Sequence, residues 1–190
     1  GSLMDGKIDG HYVLKLGNAN NGVLAGLVSI TAPCSTCEPW AAFIIGFTGS
    51  FVYMGGVGLL NKMKVDDVVS AIPVHGFCGF WGVLMAALFA TPANYSNAYY
   101  SDRADKCAGL FMGGEGPALT AALVFLFAVI AWVGILSLVI FGTLKAMGML
   151  RVEAAIEDEG MDSSEHGVTK GFADGAAEAK AGAAQVAPGN

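Results

Sequence analysis

The sequence predicts an all-α membrane protein, a polytopic helix bundle with about four transmembrane helices and a polar tail. Hydrophobic residues make up 54% of the chain and charged residues only 14%, whereas an ordinary soluble domain is about a quarter charged. The charges are also unevenly placed, because no Asp, Glu, Lys or Arg lies in residues 39–61, 68–101 or 117–144. Apolar runs of roughly 18 residues or more match the ~30 Å hydrocarbon core of a bilayer.

Four apolar segments are expected to form a transmembrane domain that spans residues 21–151. The first, at residues 21–33, is the weakest, because about a dozen apolar residues is short for a complete span. The other three cover residues 39–60, 68–91 and 117–149. A soluble core helix would have charged residues every few positions on its outer face. The three longer segments lack such a face, which favours the membrane interpretation.

Both ends of the chain are expected to lie outside the bilayer. Residues 1–20 form a polar N-terminal segment without the basic and apolar regions of a signal peptide. Residues 152–190 form an acidic tail whose excess of Asp and Glu accounts for the whole net charge of −6. We expect this tail to be cytoplasmic, and to be disordered beyond about residue 171, where Ala and Gly dominate. No basic patch favours nucleic acid as a partner.

The placement of Lys and Arg predicts the orientation, since cytoplasmic loops have an excess of these residues. Lys62 and Lys64 lie between the second and third segments, whereas residues 33–38 contain neither Lys nor Arg. We therefore expect both termini to be inside, with residues 33–38 and the loop between the third and fourth segments outside. This arrangement is that of a multi-pass protein, and we expect it in the plasma membrane.

The predicted outer loops contain two minor signals. Asn94 begins an N-glycosylation sequon, Asn-Tyr-Ser, and is a candidate glycosylation site. Cys34, Cys37 and Cys107 would lie on the same side, where disulfides can persist. Ordinary thiols or a loop disulfide are both compatible with these cysteines. A redox Cys-x-x-Cys motif is disfavoured, because no thioredoxin-like βαβ pattern surrounds it.

His75 is the most informative residue of the chain. It lies eight positions after Asp67, which is about 12 Å along a helix and therefore inside the hydrocarbon zone. An ionisable side chain at that depth is costly and is a functional-site candidate. A neutral imidazole has one donor and one acceptor nitrogen, so it can hydrogen-bond a small neutral solute. The alternative is a structural hydrogen bond to a neighbouring helix.

Three stretches of the chain together resemble signatures of a known family. They are residues 21–31 (NGVLAGLVSIT), residues 65–79, with VDD followed by VHGFCG, and residues 150–167, with LRV, GMD and HG. Their order and spacing resemble those of the ammonium transporter family (Amt/Mep/Rh). The resemblance covers roughly three quarters of the chain.

The resemblance implies a fold and a function. The family fold has eleven helices in two inverted repeats and assembles as a homotrimer with one pore per subunit. This chain resembles its last four helices and tail, so the N-terminal helices would be missing. The implied function is ammonium transmembrane transport, with ammonium or ammonia and the lipid bilayer as partners. No catalytic residue, metal or cofactor is expected, and the protein is not expected to be an enzyme.

The resemblance also implies roles for single residues. His75 resembles the second of two pore histidines that face each other in a narrow apolar channel. Thr31, near the outer mouth, and Ala71 are expected next to the pore. The first pore histidine has no counterpart, since His11 and His166 lie in polar segments.

Asp66 and Asp67 begin the third segment, where carboxylates suit the positive end of a helix dipole. Two interpretations are open for them, helix capping and a part in conduction, and capping is favoured. Ser164 lies where plant relatives have a regulatory threonine, so it is a candidate phosphorylation site.

Two other functions are compatible with parts of the sequence. A non-transporting membrane protein could use the tail as an ammonium-sensing or regulatory module. A membrane enzyme built on His75 is disfavoured, because only Cys78 accompanies it on the same segment.

Overall fold

The structure is a computed structural model that describes residues 7–8, 11–12, 16–67, 69–100 and 102–152. The regular secondary structure of these residues is almost entirely helical, which confirms the predicted fold class. Two short strands, Lys7–Ile8 (β1) and His11–Tyr12 (β2), pair antiparallel. The acidic tail after residue 152, with its expected disorder and Ser164, lies outside the described residues.

Five α-helices follow the strands in the described part of the chain. Two shorter helical segments accompany them: a π-helix at Ile72–Phe77, which runs directly into the third α-helix, and a 3-10 turn at Leu110–Met112. The chain forms two units, residues 1–131 and 132–190. The α-helices are α1 (Leu16–Thr31), α2 (Pro39–Met63), α3 (Cys78–Phe89), α4 (Pro92–Tyr99) and α5 (Pro117–Ala146).

Three of the described helices are long and apolar enough to cross a membrane. They are Pro39–Met63, the continuous Ile72–Phe89 and Pro117–Ala146. The weakest predicted segment corresponds to α1, which has 16 residues. At 1.5 Å per residue it is only about 24 Å long, so it is shorter than the ~30 Å hydrocarbon core.

The first unit is organised around α1, α2 and α3, which pack on one another. Tyr53 of α2 lies in a buried cluster with Ala25, Val74 and Cys78. A second cluster, further along the helices, joins Ile45 of α2 to Ala41 and Met85. Since later residues of α3 meet earlier residues of α2, these two helices run in opposite directions.

Large apolar side chains remain exposed on the outer faces of the helices. Phe43 of α2 is 74% exposed. In the second unit, which begins within α5, Trp132 and Leu138 are 70% and 76% exposed. Contiguous apolar surface of this kind is rare on soluble monomers, and hydrocarbon is the solvent that suits it.

Candidate functional site

A π-helical segment at Ile72–Phe77 places His75 within the third predicted membrane span. The backbone N–H of Cys78 donates to the carbonyl oxygens of both Pro73 and His75 at the end of this segment. The bond to Pro73 spans five residues, which is the spacing of a π-helix. Such segments are rare and occur frequently at functional sites. The sequence did not predict this feature.

The side chain of Asp67 lies at the start of this segment. Its Oδ1 accepts from the N–H of Ala71 and its Oδ2 from the N–H of Ile72, both at 2.9 Å. The first N–H groups of a helix have no partner within the helix, so this carboxylate replaces the missing carbonyls. Asp66, by contrast, is exposed, and within the described ranges it has no hydrogen bond. The structure thus separates the two carboxylates that the sequence left equivalent.

The imidazole of His75 points away from the packed helices. His75 is exposed, whereas the preceding Pro73 and Val74 and the following Cys78 are buried. None of the described residues hydrogen-bonds the ring. The structural alternative, a bond from His75 to a neighbouring helix, therefore finds no support among α1, α2 and α3.

The other two residues expected near the pore are also exposed, but they lie at different levels. Ala71 is one helical turn before His75 and donates its N–H to Asp67. Thr31 ends α1, and its hydroxyl donates to the carbonyl oxygen of Leu27 at 2.7 Å. Its neighbour Ile30 packs on the cluster that contains Met85, ten residues after His75. That separation is about 15 Å along the helix, so the structure does not bring Thr31 and His75 together.

Ser29 is a helix-packing residue that the sequence interpretation missed. It is fully buried, and its hydroxyl donates to the carbonyl oxygen of Ala25 at 2.7 Å. Gly49 of α2 and Gly82 of α3 both approach it so closely that neither has room for a Cβ atom. The buried thiol of Cys78 donates to the carbonyl oxygen of Gly49 at 3.6 Å. Small residues allow such close approach of helices in membranes, and they hold the helix that contains His75 against its neighbours.

The predicted outer loops are joined by polar contacts. The amide Nδ2 of Asn94 donates to Oε1 of Glu38 at 2.8 Å, and the backbone N–H of Thr91 donates to the carbonyl oxygen of Thr36 at 2.8 Å. Thr91 also caps α4, because its hydroxyl accepts from the N–H of Asn94. These bonds connect residues 33–38 to α4.

The three cysteines of these loops are free thiols. Burial raises the pKa of Cys37, with Cys34 and Glu38 adding to the increase against a lowering backbone hydrogen bond. The pKa of Tyr95 is raised chiefly by a hydrogen bond to the thiol of Cys107. Cys34 is exposed.

Three cavities in the described part of the first unit are not lined by His75. One of about 330 Å³ lies between alanines of α3 and the rings of Tyr95 and Tyr99. Another, of about 240 Å³, adjoins Lys106 and Glu115. The third, of about 150 Å³, adjoins Asp66 and Asp67. Within the described ranges no group of three or more His, Cys, Asp or Glu residues could hold a metal ion.

Comparison with known proteins places the chain in a family. The model of the Ammonium Transporter Family matches residues 3–170. The chain is 40% identical over 166 residues to Ammonium transporter 1 member 1 of Arabidopsis thaliana. The matched region covers 87% of this chain and 32% of that protein. It is 42% identical over 164 residues to Ammonium transporter 3 of Dictyostelium discoideum, covering 85% of this chain and 37% of that protein.

The chain thus spans about a third of the length of the curated relatives it matches. The family match covers most of its residues, and its helices are apolar and long enough to cross a bilayer. It is a multi-pass membrane protein that belongs to the ammonium transporter family.

Proposed function

We propose that this chain contributes part of the pore of an ammonium transport protein. The observation that supports this most directly is the exposed imidazole of His75, set in an apolar membrane-spanning helix without a partner among the described residues. An intramembrane histidine normally faces protein or a water-filled cavity. In this proposal further helices cover His75 and complete the conduction path, within a homotrimer in the plasma membrane.

The proposed mechanism uses the cost of desolvating a charge. Ammonium that leaves water for an apolar channel loses its hydration, which strongly disfavours the charged form. It therefore gives up a proton to water at the channel entrance and passes as ammonia. A neutral imidazole offers both a donor and an acceptor to that solute. Potassium has no proton to lose, so the same barrier excludes it.

The remaining candidate residues have supporting roles in this proposal. Thr31 and Ala71 lie on exposed surface beside the path, Thr31 toward the outer side. Asp67 serves the start of the helix rather than conduction. Asn94 and Ser164 are proposed modification sites on the outer and cytoplasmic sides. The protein is proposed to act without a cofactor and without enzymatic activity.

Transport by a chimaera tests the proposal. This chain replaces the matching third of a transport-competent relative, and uptake of labelled methylammonium is measured in yeast lacking its own ammonium transporters. His75→Ala is expected to reduce uptake at least tenfold or to admit potassium. His11→Ala, which removes a histidine outside the predicted spans, is the matched control and should leave uptake unchanged. Wild-type flux and selectivity in His75→Ala would remove His75 from the mechanism.

A further inference from the structure

The first backbone N–H groups of the helix that contains His75 donate hydrogen bonds to Asp67 and Ser70. Asp67 accepts from Ala71 and Ile72 at 2.9 Å each. Pro73 has no N–H, and Val74 donates to the carbonyl oxygen of Ser70 at 3.1 Å. Removing the Asp67 carboxylate would therefore leave two neighbouring N–H groups without partners at the point where the π-helix begins.

The inner side of the same segment is fixed by α2. A Cβ atom on Gly56 would collide with the ring of Phe77 and lie 3.3 Å from Cβ of Pro73. Gly56 and Pro73 are buried. The carboxylate of Asp67 thus stabilises the start of the π-helix, and the missing side chain of Gly56 leaves room for Phe77 to pack against α2.

The direction of His75 depends on this segment remaining a π-helix. A π-helix accommodates an extra residue relative to an α-helix, so a change to α-helical spacing would rotate the side chains within it. Backbone strain also marks its start, since Ser70 has a φ of 57° although it is not glycine. Residues held in that region persist only where the surroundings determine them.

We propose that Asp67 is a positioning residue for His75. Its carboxylate holds the two N–H groups that begin the π-helix, and the π-helix in turn directs the imidazole away from α1 and α2. Asp67 does not touch the conducted solute. The functional consequence rests on the proposed transport role of His75, whereas the structural link between the two residues does not.

Transport and spectroscopy test the two parts separately. Nitrogen NMR of the full 190-residue chain in lipid bilayers, with His11 and His166 replaced by Asn, reports only the ring of His75. Uptake is measured in the chimaera. Asp67→Ala is expected to shift the ring signals and to lower the maximal uptake rate at least tenfold. Asp66→Ala removes a neighbouring carboxylate without those hydrogen bonds and should change neither readout.

Two further variants separate geometry from charge and guard against misfolding. Asp67→Asn removes the charge but keeps one acceptor oxygen, so its effects should lie between those of wild type and Asp67→Ala. Equal effects of Asn and Ala on the ring signals would show that both carboxylate oxygens are needed to hold the two N–H groups. Gly56→Ala displaces Phe77 without touching Asp67 and should shift the same ring signals, even if Asp67→Ala fails to insert.

The combined outcomes distinguish the two proposals. Unchanged His75 signals in both Asp67→Ala and Gly56→Ala would reject the positioning role, whatever happens to uptake. Shifted signals with unchanged uptake would keep the positioning role and reject the proposed transport role of His75.

Discussion

The carbonyl oxygen of Ser29 in α1 faces Gly82 in α3 so closely that a Cβ atom on Gly82 would lie 2.7 Å from it. The atom that would be approached belongs to the backbone of a helix, which cannot rotate away as a side chain could. The two helices therefore have to separate to accept any residue larger than glycine. Because Gly49 of α2 also approaches Ser29, that separation would disturb the packing of α2 as well.

Gly82→Ala is expected to destabilise the helix bundle by about 1–3 kcal/mol, the usual cost of overpacking a core. The measurement is the Tm of the detergent-purified chain, determined by size-exclusion chromatography with fluorescence detection. Gly46→Ala is the matched control, because a Cβ on Gly46 has nothing within 4 Å and alanine favours a helix. Equal Tm values for the two variants would contradict the close approach of α1 and α3.

The long helices and the starts of α2 and α5 could be predicted from the sequence, but the other helix ends and the polar elements could not. The charge-free run that begins at Pro39 fixes the start of α2, since proline suits the first turn of a helix. α1 begins at Leu16, several residues before the apolar segment, because polar residues there form helix without raising the hydropathy. α4 was not predicted because it lies in a polar loop, although Thr91 followed by Pro92 is a helix-start signal that indicates it.

The site was predictable only where a single residue type determines it. An imidazole in an apolar run marks His75 without any knowledge of packing. The π-helix around it depends on hydrogen bonds to Asp67 and on space at Gly56, and both are tertiary relationships. Ser29 gave no signal, because a serine in a glycine-rich helix is ordinary until its neighbours from two other helices are known.

The contact between Asn94 and Glu38 gives a prediction about the outer loops. The Nδ2 atom that donates to Glu38 is also the atom that glycosylation of the sequon would modify. Asn94→Ala should lower stability by about 1 kcal/mol, the typical size of a partly exposed hydrogen bond to a charged group. Comparison of Tm values in detergent measures this loss.

Ser96→Ala is the control for that variant. It destroys the sequon but leaves Asn94 and its bond to Glu38 in place, and an exposed surface substitution usually changes stability by less than about 0.5 kcal/mol. A mass decrease on N-glycosidase treatment, absent in Ser96→Ala, would reveal a glycan at Asn94. If Ser96→Ala lowered the Tm as much as Asn94→Ala, the contribution of the Glu38 contact would be refuted.

The predicted orientation can be tested with a maleimide that does not cross membranes. Cys34 is exposed, and its loop lacks Lys and Arg, so intact cells should be labelled at this position. Lys64→Cys, placed in a chain whose other cysteines are Ser, should react only after the cells are permeabilised, because it lies on the predicted cytoplasmic side. Labelling of Lys64→Cys in intact cells would indicate the opposite orientation.

Cys37 should react more slowly than Cys34 with the same reagent. Burial raises the pKa of Cys37, so at pH 7.5 a smaller fraction of its thiol is the reactive thiolate. Its rate should keep increasing as the pH is raised toward that elevated pKa. Restricted access of the reagent to the partly buried thiol should lower the rate further at every pH. Two chains isolate the two rates: one keeps Cys34 as its single cysteine and the other keeps Cys37, with the remaining cysteines replaced by Ser. Equal rates at pH 7.5 would show that Cys37 is neither shielded nor shifted, and that the 33–38 loop does not pack as described.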